Sequence, residues 1–222
     1  MTHDEFIRMI GDAAVRYYPK YKILPSLTIA QAILESSWGK SRLSTECYNY
    51  FGMKWKAGCG CDYKEYMTKE QKPDGTYYTV MAKFRKYMDA ADGIKGYYDF
   101  LSGYKRYHNL IGVTDAGRAC DLIRQDGWAT SLKYSSNLKR VISQHNLTAY
   151  DAVAMGMPAP DGSFLVRVRA NDLNIRTGPG VDYDKTGKYT GAGIFTIVRE
   201  MDGWGKLKSR AGWICLKYAE RM

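Results

Sequence analysis

Glu35 is the residue in this chain whose type and setting most directly suggest chemistry. In AQAILESSWGKS, residues 30–41, it follows a run of small and branched apolar residues, and a carboxylate in such company is costly unless it is paired or used. Ser26 follows Pro25 and can cap a helix that begins at Leu27, while Gly39 supplies a stop, so the pattern predicts a central helix over 26–38 with Glu35 in its last turn. There the helix dipole is negative and the neighbours are apolar. Both disfavour the ionised form, and an acid that keeps its proton near neutrality can serve as a general acid. Two other readings stay open: a core glutamate neutralised by Lys or Arg, and one that emerges into solvent past the helix end.

Other chemistries find little support. His3, His108 and His145 lack the spacing of a metal site, and no acidic cluster resembles a calcium loop. The five cysteines, Cys47, Cys59, Cys61, Cys120 and Cys215, contain no CxxC pair; C-G-C is too tight for a zinc knuckle, and they read mostly as buried free thiols. NIRTGPG lies in a strand and turn pattern rather than between strand and helix, which excludes a phosphate loop. Neither metal nor cofactor is expected.

The elements that must position Glu35 fall into two grammars. Thr2-His3-Asp4-Glu5 has the form of a capping box, with Phe6, Ile10, Ala13 and Tyr17 following at helical spacing to predict a helix over 2–18. Further helical patterns cover 90–102, 115–125 and 132–145. Between them Lys72-Pro73-Asp74-Gly75 and the β-branched, aromatic TYYTVMAKFRKY predict a hairpin near 62–87. DAVAMGMPAPDG, 151–162, loses periodicity and carries two prolines and two glycines, which predicts a linker between domains at 1–150 and 163–222. Beyond it, short strands with glycine-bearing turns predict a small barrel. The fold class is therefore α+β, a mainly helical domain with a β-hairpin lobe followed by an all-β module.

LPSLTIAQAILESSWGKS resembles the signature of bacterial endo-β-N-acetylglucosaminidases of glycoside hydrolase family 73, which have a lysozyme-like fold. The likeness continues through YNYFGMKW at 48–55, TKE at 68–70, FRKY at 84–87 and GWATSLKY at 127–134. It implies Glu35 as the general acid. It implies a second carboxylate on the β lobe, at Glu70, with Glu65 as the alternative if the hairpin register differs. Another family proposal, an acid on the helix after FRxY, falls nearest Gly96, between Asp92 and Asp99, and is not carried over. Tyr134 matches a tyrosine near the family's cleft, where it would orient a sugar or its acetamido group, unless it is a core residue of its helix. Asn49, Phe51, Trp55 and Trp128 lie in matched or adjacent positions and would shape a sugar groove, although the same residues suit a core.

NDLNIRTGPGVDY at 171–183, with DGWGKL and GWICLKYAERM, resembles a bacterial SH3 domain. That resemblance implies attachment to peptidoglycan peptides or anionic wall polymers, with Tyr183, Trp204 and Tyr218 as contacts, Trp213 in the barrel core, and Gly178 and Gly180 serving turn geometry. A formal charge of +10 suits an anionic wall. Lysines and arginines are spread without a dense run, which ranks nucleic acid last among partners, and no apolar stretch reaches the ~20 residues of a membrane span.

The expected function is hydrolysis of the β-1,4 bond between N-acetylglucosamine and N-acetylmuramic acid of bacterial peptidoglycan. Alternatives are a muramidase, a lytic transglycosylase and a non-catalytic wall-binding protein. No secretory signal is visible at the start, so the expectation is an endolysin made in the cytoplasm and released by a holin, or a bacterial autolysin.

Overall fold

The computed structural model describes residues 1–71, 74–156 and 162–222, excepting the side chains of 69–71. In chain order the helices are α1 (His3–Tyr21), α2 (Pro25–Ser36), α3 (Arg42–Cys47), α4 (Ala90–Gly103), α5 (Ala116–Gln125), α6 (Tyr134–Gln144) and α7 (Thr148–Ala154). The strands are β1 (Asp62–Gln71), β2 (Tyr77–Lys86), β3 (Phe164–Val168), β4 (Asn174–Arg176), β5 (Lys185–Tyr189), β6 (Gly193–Met201), β7 (Trp204–Leu207), β8 (Trp213–Cys215) and β9 (Ala219–Arg221). They group into two compact units, one of Met1–Ala30 with Asn109–Met222 and one of Gln31–His108. No helix among the described residues is long and apolar enough to cross a membrane.

In the first unit, α1 starts on the capping box: Glu5 N–H donates to Thr2 Oγ1 at 3.2 Å and Thr2 N–H to Glu5 Oε2 at 2.6 Å. Phe6, Ile10 and Ala14 fill its buried stripe. Tyr150 of α7 lies over Gly11, where an added Cβ would come within 2.2 Å of the ring, so only glycine allows this approach. The helix α7 runs through 151–154, the first residues of the stretch read as a linker, and buries Asp151; residues 157–161 of that stretch lie outside the described residues.

The C-terminal strands form one antiparallel sheet in the order β5-β4-β8-β7-β6-β3-β9. Its core is Val166, Val168, Ile175, Ile197, Leu207 and Ile214. The sheet packs directly on helices of this unit. Arg8 of α1 lies over the Phe195 ring at 4.5 Å, Lys208 donates to the carbonyl of His145, and Asn146 donates to Ser163 Oγ at 3.3 Å.

In the second unit, β1 and β2 form a hairpin over the predicted span, pairing Asp62 with Lys86 through Gln71 with Tyr77. Asp74 accepts from Thr76 N–H at 2.9 Å and shapes the turn. The short helix α3, which periodicity alone does not announce, is capped by Ser41 accepting from Ser44 N–H at 3.2 Å. Asp89 caps α4 by accepting from Asp92 N–H at 2.8 Å.

Candidate active site

Glu35 sits in the last turn of α2, as expected, but it is exposed. The expectation of a buried carboxylate is therefore corrected. Leu27, Ile29, Ala30, Ala32, Ile33 and Ser36 are buried, so the last turn stays packed on one side while Glu35 projects from its open side into solvent. Glu35 is neither a core residue nor past the helix end, since Ser36 follows it inside α2. Exposure is what a proton donor to a polymer needs, since the polymer has to reach it.

The end of α2 is built by more than a glycine. Ser37, Trp38 and Gly39 have φ of 51°, 63° and 72°, three successive left-handed residues. Two of them carry side chains that disfavour that region, so the surroundings must hold the turn. Ser36 does so: its Oγ donates to Ala32 O at 2.5 Å and accepts from Gly39 N–H at 2.7 Å, while Ser41 N–H donates to Ser36 O at 2.9 Å. This turn ends the helix two residues before the predicted 38.

The start of α2 also differs. The helix begins at Pro25, a proline at a position whose N–H would have no intrahelical partner, and Ser26 is inside it. The cap comes from 125 residues away, where Asp151 Oδ1 accepts from Ser26 N–H at 2.7 Å. Burial pushes the Asp151 carboxyl up to about 7, against the lowering effect of the Ser26 hydrogen bonds. Sequence reasoning missed this residue because Asp151 opens the stretch read as a linker, which the structure folds into α7, and it caps a helix distant in sequence.

Behind Glu35, a buried relay braces α2. Tyr97 Oη donates to Gln31 Oε1 at 2.5 Å, one turn before Glu35, and the Tyr97 ring stacks on Phe51 at 4.0 Å with a 17° interplanar angle. Asn49 donates to the carbonyls of Met53 and Arg85 and accepts from Met53 N–H, all at 2.9 Å, locking the YNYFGM turn onto β2. Asn49 and Phe51 are 1% and 3% exposed. They have almost no surface to offer a sugar, and their contacts are with the frame that holds α2 and the hairpin.

Trp55 is half-buried at the base of the hairpin. Its Nε1–H donates to Cys61 O at 2.9 Å, its ring lies 4.8 Å from that of Tyr63, and Lys83 stands 5.3 Å from its centroid. Glu65 is exposed on β1, opposite Lys83 with 3.9 Å between their charged atoms. Glu70 pairs with Tyr78 in the strand register, but its side chain lies outside the described residues. Another carboxylate near β1, Glu46 of α3, is tied to Lys64, Tyr66 and Arg42 at 2.6, 2.8 and 3.1 Å, and these bonds lower it to about 2. It fastens α3 to β1.

Gly96 on α4 has no room for a side chain. The Tyr87 ring covers Gly96 so tightly that a Cβ would meet it at 2.3 Å. Asp99 pairs with Lys95 at 2.6 Å, and Asp92 accepts from Met88 N–H at 3.1 Å.

Two candidates belong to the other unit. Tyr134 opens α6 and is 8% exposed; Trp128 is half-buried after Gly127, whose φ is 83°. On the sheet, Tyr183 and Tyr218 are 48% and 61% exposed, Trp204 is half-buried and Trp213 is buried. Arg176 joins two of the aromatics, donating to Tyr183 O at 2.7 Å with its guanidinium 6.0 Å from the Trp204 ring centre. Gly178 is glycine for close packing rather than turn geometry, because a Cβ there would lie 2.2 Å from the Tyr183 ring.

Residues 11–147 match the glucosaminidase family, described as mannosyl-glycoprotein endo-β-N-acetylglucosaminidase. Among curated relatives, exo-glucosaminidase LytG of Bacillus subtilis is 31% identical over 164 residues, 70% of this chain and 56% of LytG. Peptidoglycan hydrolase FlgJ of Escherichia coli K12 is 30% identical over 122 residues, 53% of this chain and 39% of FlgJ. The chain thus spans about half the length of these curated relatives or less. Among solved structures, the catalytic domain of the autolysin Auto from Listeria monocytogenes aligns with a TM-score of 0.58 and 31% identity over 67% of this chain and 86% of that one. With the family match extending over more than half of its length, the chain belongs to the glucosaminidase family of glycoside hydrolases.

Proposed function

We propose that this protein hydrolyses bacterial peptidoglycan at the β-1,4 bond between N-acetylglucosamine and N-acetylmuramic acid, with Glu35 as general acid. The observation that carries the reading is the position of Glu35: an exposed carboxylate at the end of an otherwise buried helix, inside the stretch matched to the family. The names of FlgJ, a peptidoglycan hydrolase, and Auto, an autolysin, support the substrate.

In this mechanism Glu35 gives its proton to the glycosidic oxygen as the bond to the anomeric carbon breaks. Charge then builds on the sugar ring and must be met by a carboxylate, a water activated by one, or the substrate's own acetamido oxygen. Glu70 is the proposed partner on β1, and Glu65 the alternative. A separation of about 5 to 5.5 Å from Glu35 would suit a nucleophile, and about 6.5 to 9.5 Å an activated water. Trp55 and Trp128, both partly open to solvent, are the proposed sugar-stacking faces, and Tyr134 the proposed group for the acetamido oxygen.

The seven-stranded sheet is proposed as an SH3-like wall anchor at 163–222, using Tyr183, Trp204 and Tyr218. It would raise the local concentration of the hydrolase on an insoluble substrate, and the basic surface would favour anionic wall polymers.

The test is mass spectrometry of borohydride-reduced fragments from purified peptidoglycan. Wild type is expected to leave reduced N-acetylglucosamine ends, and Glu35→Gln to leave none while still binding sacculi. Reduced muramic acid or anhydro ends would replace the glucosaminidase reading with a muramidase or transglycosylase; full activity in Glu35→Gln would remove the acid assignment. No fragments from wild type would favour a wall-binding protein.

A further inference from the structure

The loop that enters the hairpin carries two sulfur atoms that the proposed hydrolysis does not use. Cys59 Sγ and Cys61 Sγ are 2.7 Å apart, both partly open to solvent, and Gly60 between them has φ of 69°. A covalent S–S bond is about 2.05 Å, so a small side-chain rotation separates the dithiol from a disulfide. The expectation of buried thiols holds for Cys47 and Cys120 but not for this pair or for Cys215.

The two thiols are chemically unequal. Burial opposes ionisation of Cys59, but hydrogen bonding with the Cys61 thiol and with the backbone at Cys61 and Lys56, and the charge of Arg85 nearby, outweigh it and lower its pKa. Burial pushes Cys61 up to about 12, helped by its bond to Cys59. A lowered, accessible thiol is the nucleophile of an exchange pair, and its neighbour resolves the intermediate. Closing so short a loop removes little entropy from the unfolded chain, so this bond would add little as a staple.

We propose that Cys59 and Cys61 form a reversible dithiol–disulfide site that exchanges with disulfides of the glutathione class. Cys59 thiolate attacks one sulfur of the oxidised partner, breaking its S–S bond and releasing one thiolate. Cys61, after giving its proton to solvent, attacks Cys59 Sγ in the mixed disulfide and expels the second thiolate. The protein loses two electrons and two protons, and the partner is reduced to two thiols. The bond would also act on its surroundings, because the Cys61 carbonyl receives the Trp55 indole N–H.

The experiment equilibrates wild type, Cys59→Ser and Cys61→Ser in glutathione buffers of rising oxidised fraction, quenches with acid, alkylates, and reads the peptide holding residues 59 and 61 by mass spectrometry. Wild type is expected to lose two hydrogens and both alkylation sites on that peptide, reversibly on return to reduced glutathione. Cys61→Ser should stop at a glutathione adduct on Cys59 and form it faster than Cys59→Ser forms one on Cys61. Circular dichroism confirms that the serine variants fold. The proposal is overturned if wild type keeps both thiols across the series, carries only glutathione adducts, or bonds either cysteine elsewhere.

Discussion

Asp151 illustrates how one residue can govern an element far from it in sequence. Its Oδ1 takes the Ser26 N–H at the start of α2, the helix whose other end carries Glu35. In the unfolded chain it titrates near 3.8, and in the fold burial raises it to about 7. The folded state therefore binds the proton more tightly, so this group's contribution to stability is complete below about pH 4 and is lost as pH rises through about 7. Asp151→Asn keeps an oxygen acceptor and never ionises. We expect that variant to flatten the change of melting temperature over this pH window, and Asp151→Ala, which also never ionises, to show the same flat profile about 1 kcal/mol below it for the lost helix cap. Thermal scans from pH 4 to pH 8 separate the two, and an Asn variant with the wild-type slope would rule out this titration. Glu35 obeys a different logic: Glu35→Gln keeps the size of the side chain and its hydrogen-bonding oxygen, so hydrolysis should fall by about 10² to 10⁴-fold, the range of general acid catalysis, with a far smaller effect on the melting temperature.

The elements around the candidate site are held by packing that fixes their spacing. The Tyr87 ring over Gly96 and the Tyr48 carbonyl, 2.0 Å from where a Gly93 Cβ would lie, set how closely α4 approaches its neighbours. Replacing Gly96 by Ala or Asp displaces that ring, and we expect a loss of about 1 to 3 kcal/mol by chemical denaturation; Gly96→Asp with unchanged stability would show that the helix has room for a carboxylate after all. Asn49 carries three hydrogen bonds, so Asn49→Ala removes the acceptor of the buried Met53 N–H, at about 1 to 3 kcal/mol, and two donations to the Met53 and Arg85 carbonyls. The expected signature is reduced stability together with reduced activity. A variant that kept its stability and lost only substrate affinity would instead give Asn49 a direct contact with sugar.

At the scale of the whole chain, the C-terminal sheet shares a unit with α1 and α5 to α7. Arg8 stacks on Phe195, and Asp12 of α1 accepts from the Ile194 backbone while burial raises it to about 6. A module joined only by a linker could be removed without loss of stability. Here we expect truncation after residue 156 to lower the melting temperature as well as binding to sacculi, read by calorimetry and by co-sedimentation. An unchanged melting temperature would show that these contacts contribute nothing.

By itself the sequence determined the local signals. Thr2 and Glu5 announced the first helix because a capping box is satisfied within four residues; the turn before Tyr77 announced the hairpin, and short runs with glycine-bearing turns beyond residue 162 announced strands, though not their order in the sheet. The glutamate of AQAILES drew attention by its company alone. Only the tertiary structure decided whether that glutamate was buried, because helical periodicity says which residues share a face but not which faces the rest of the fold covers. It also decided that Asp151 rather than Ser26 caps α2, that Asn49 and Phe51 serve the frame, and that Cys59 and Cys61 meet in the open. Those outcomes depend on what the fold packs around each group, including groups far away in the chain, and short-range spacing does not encode that.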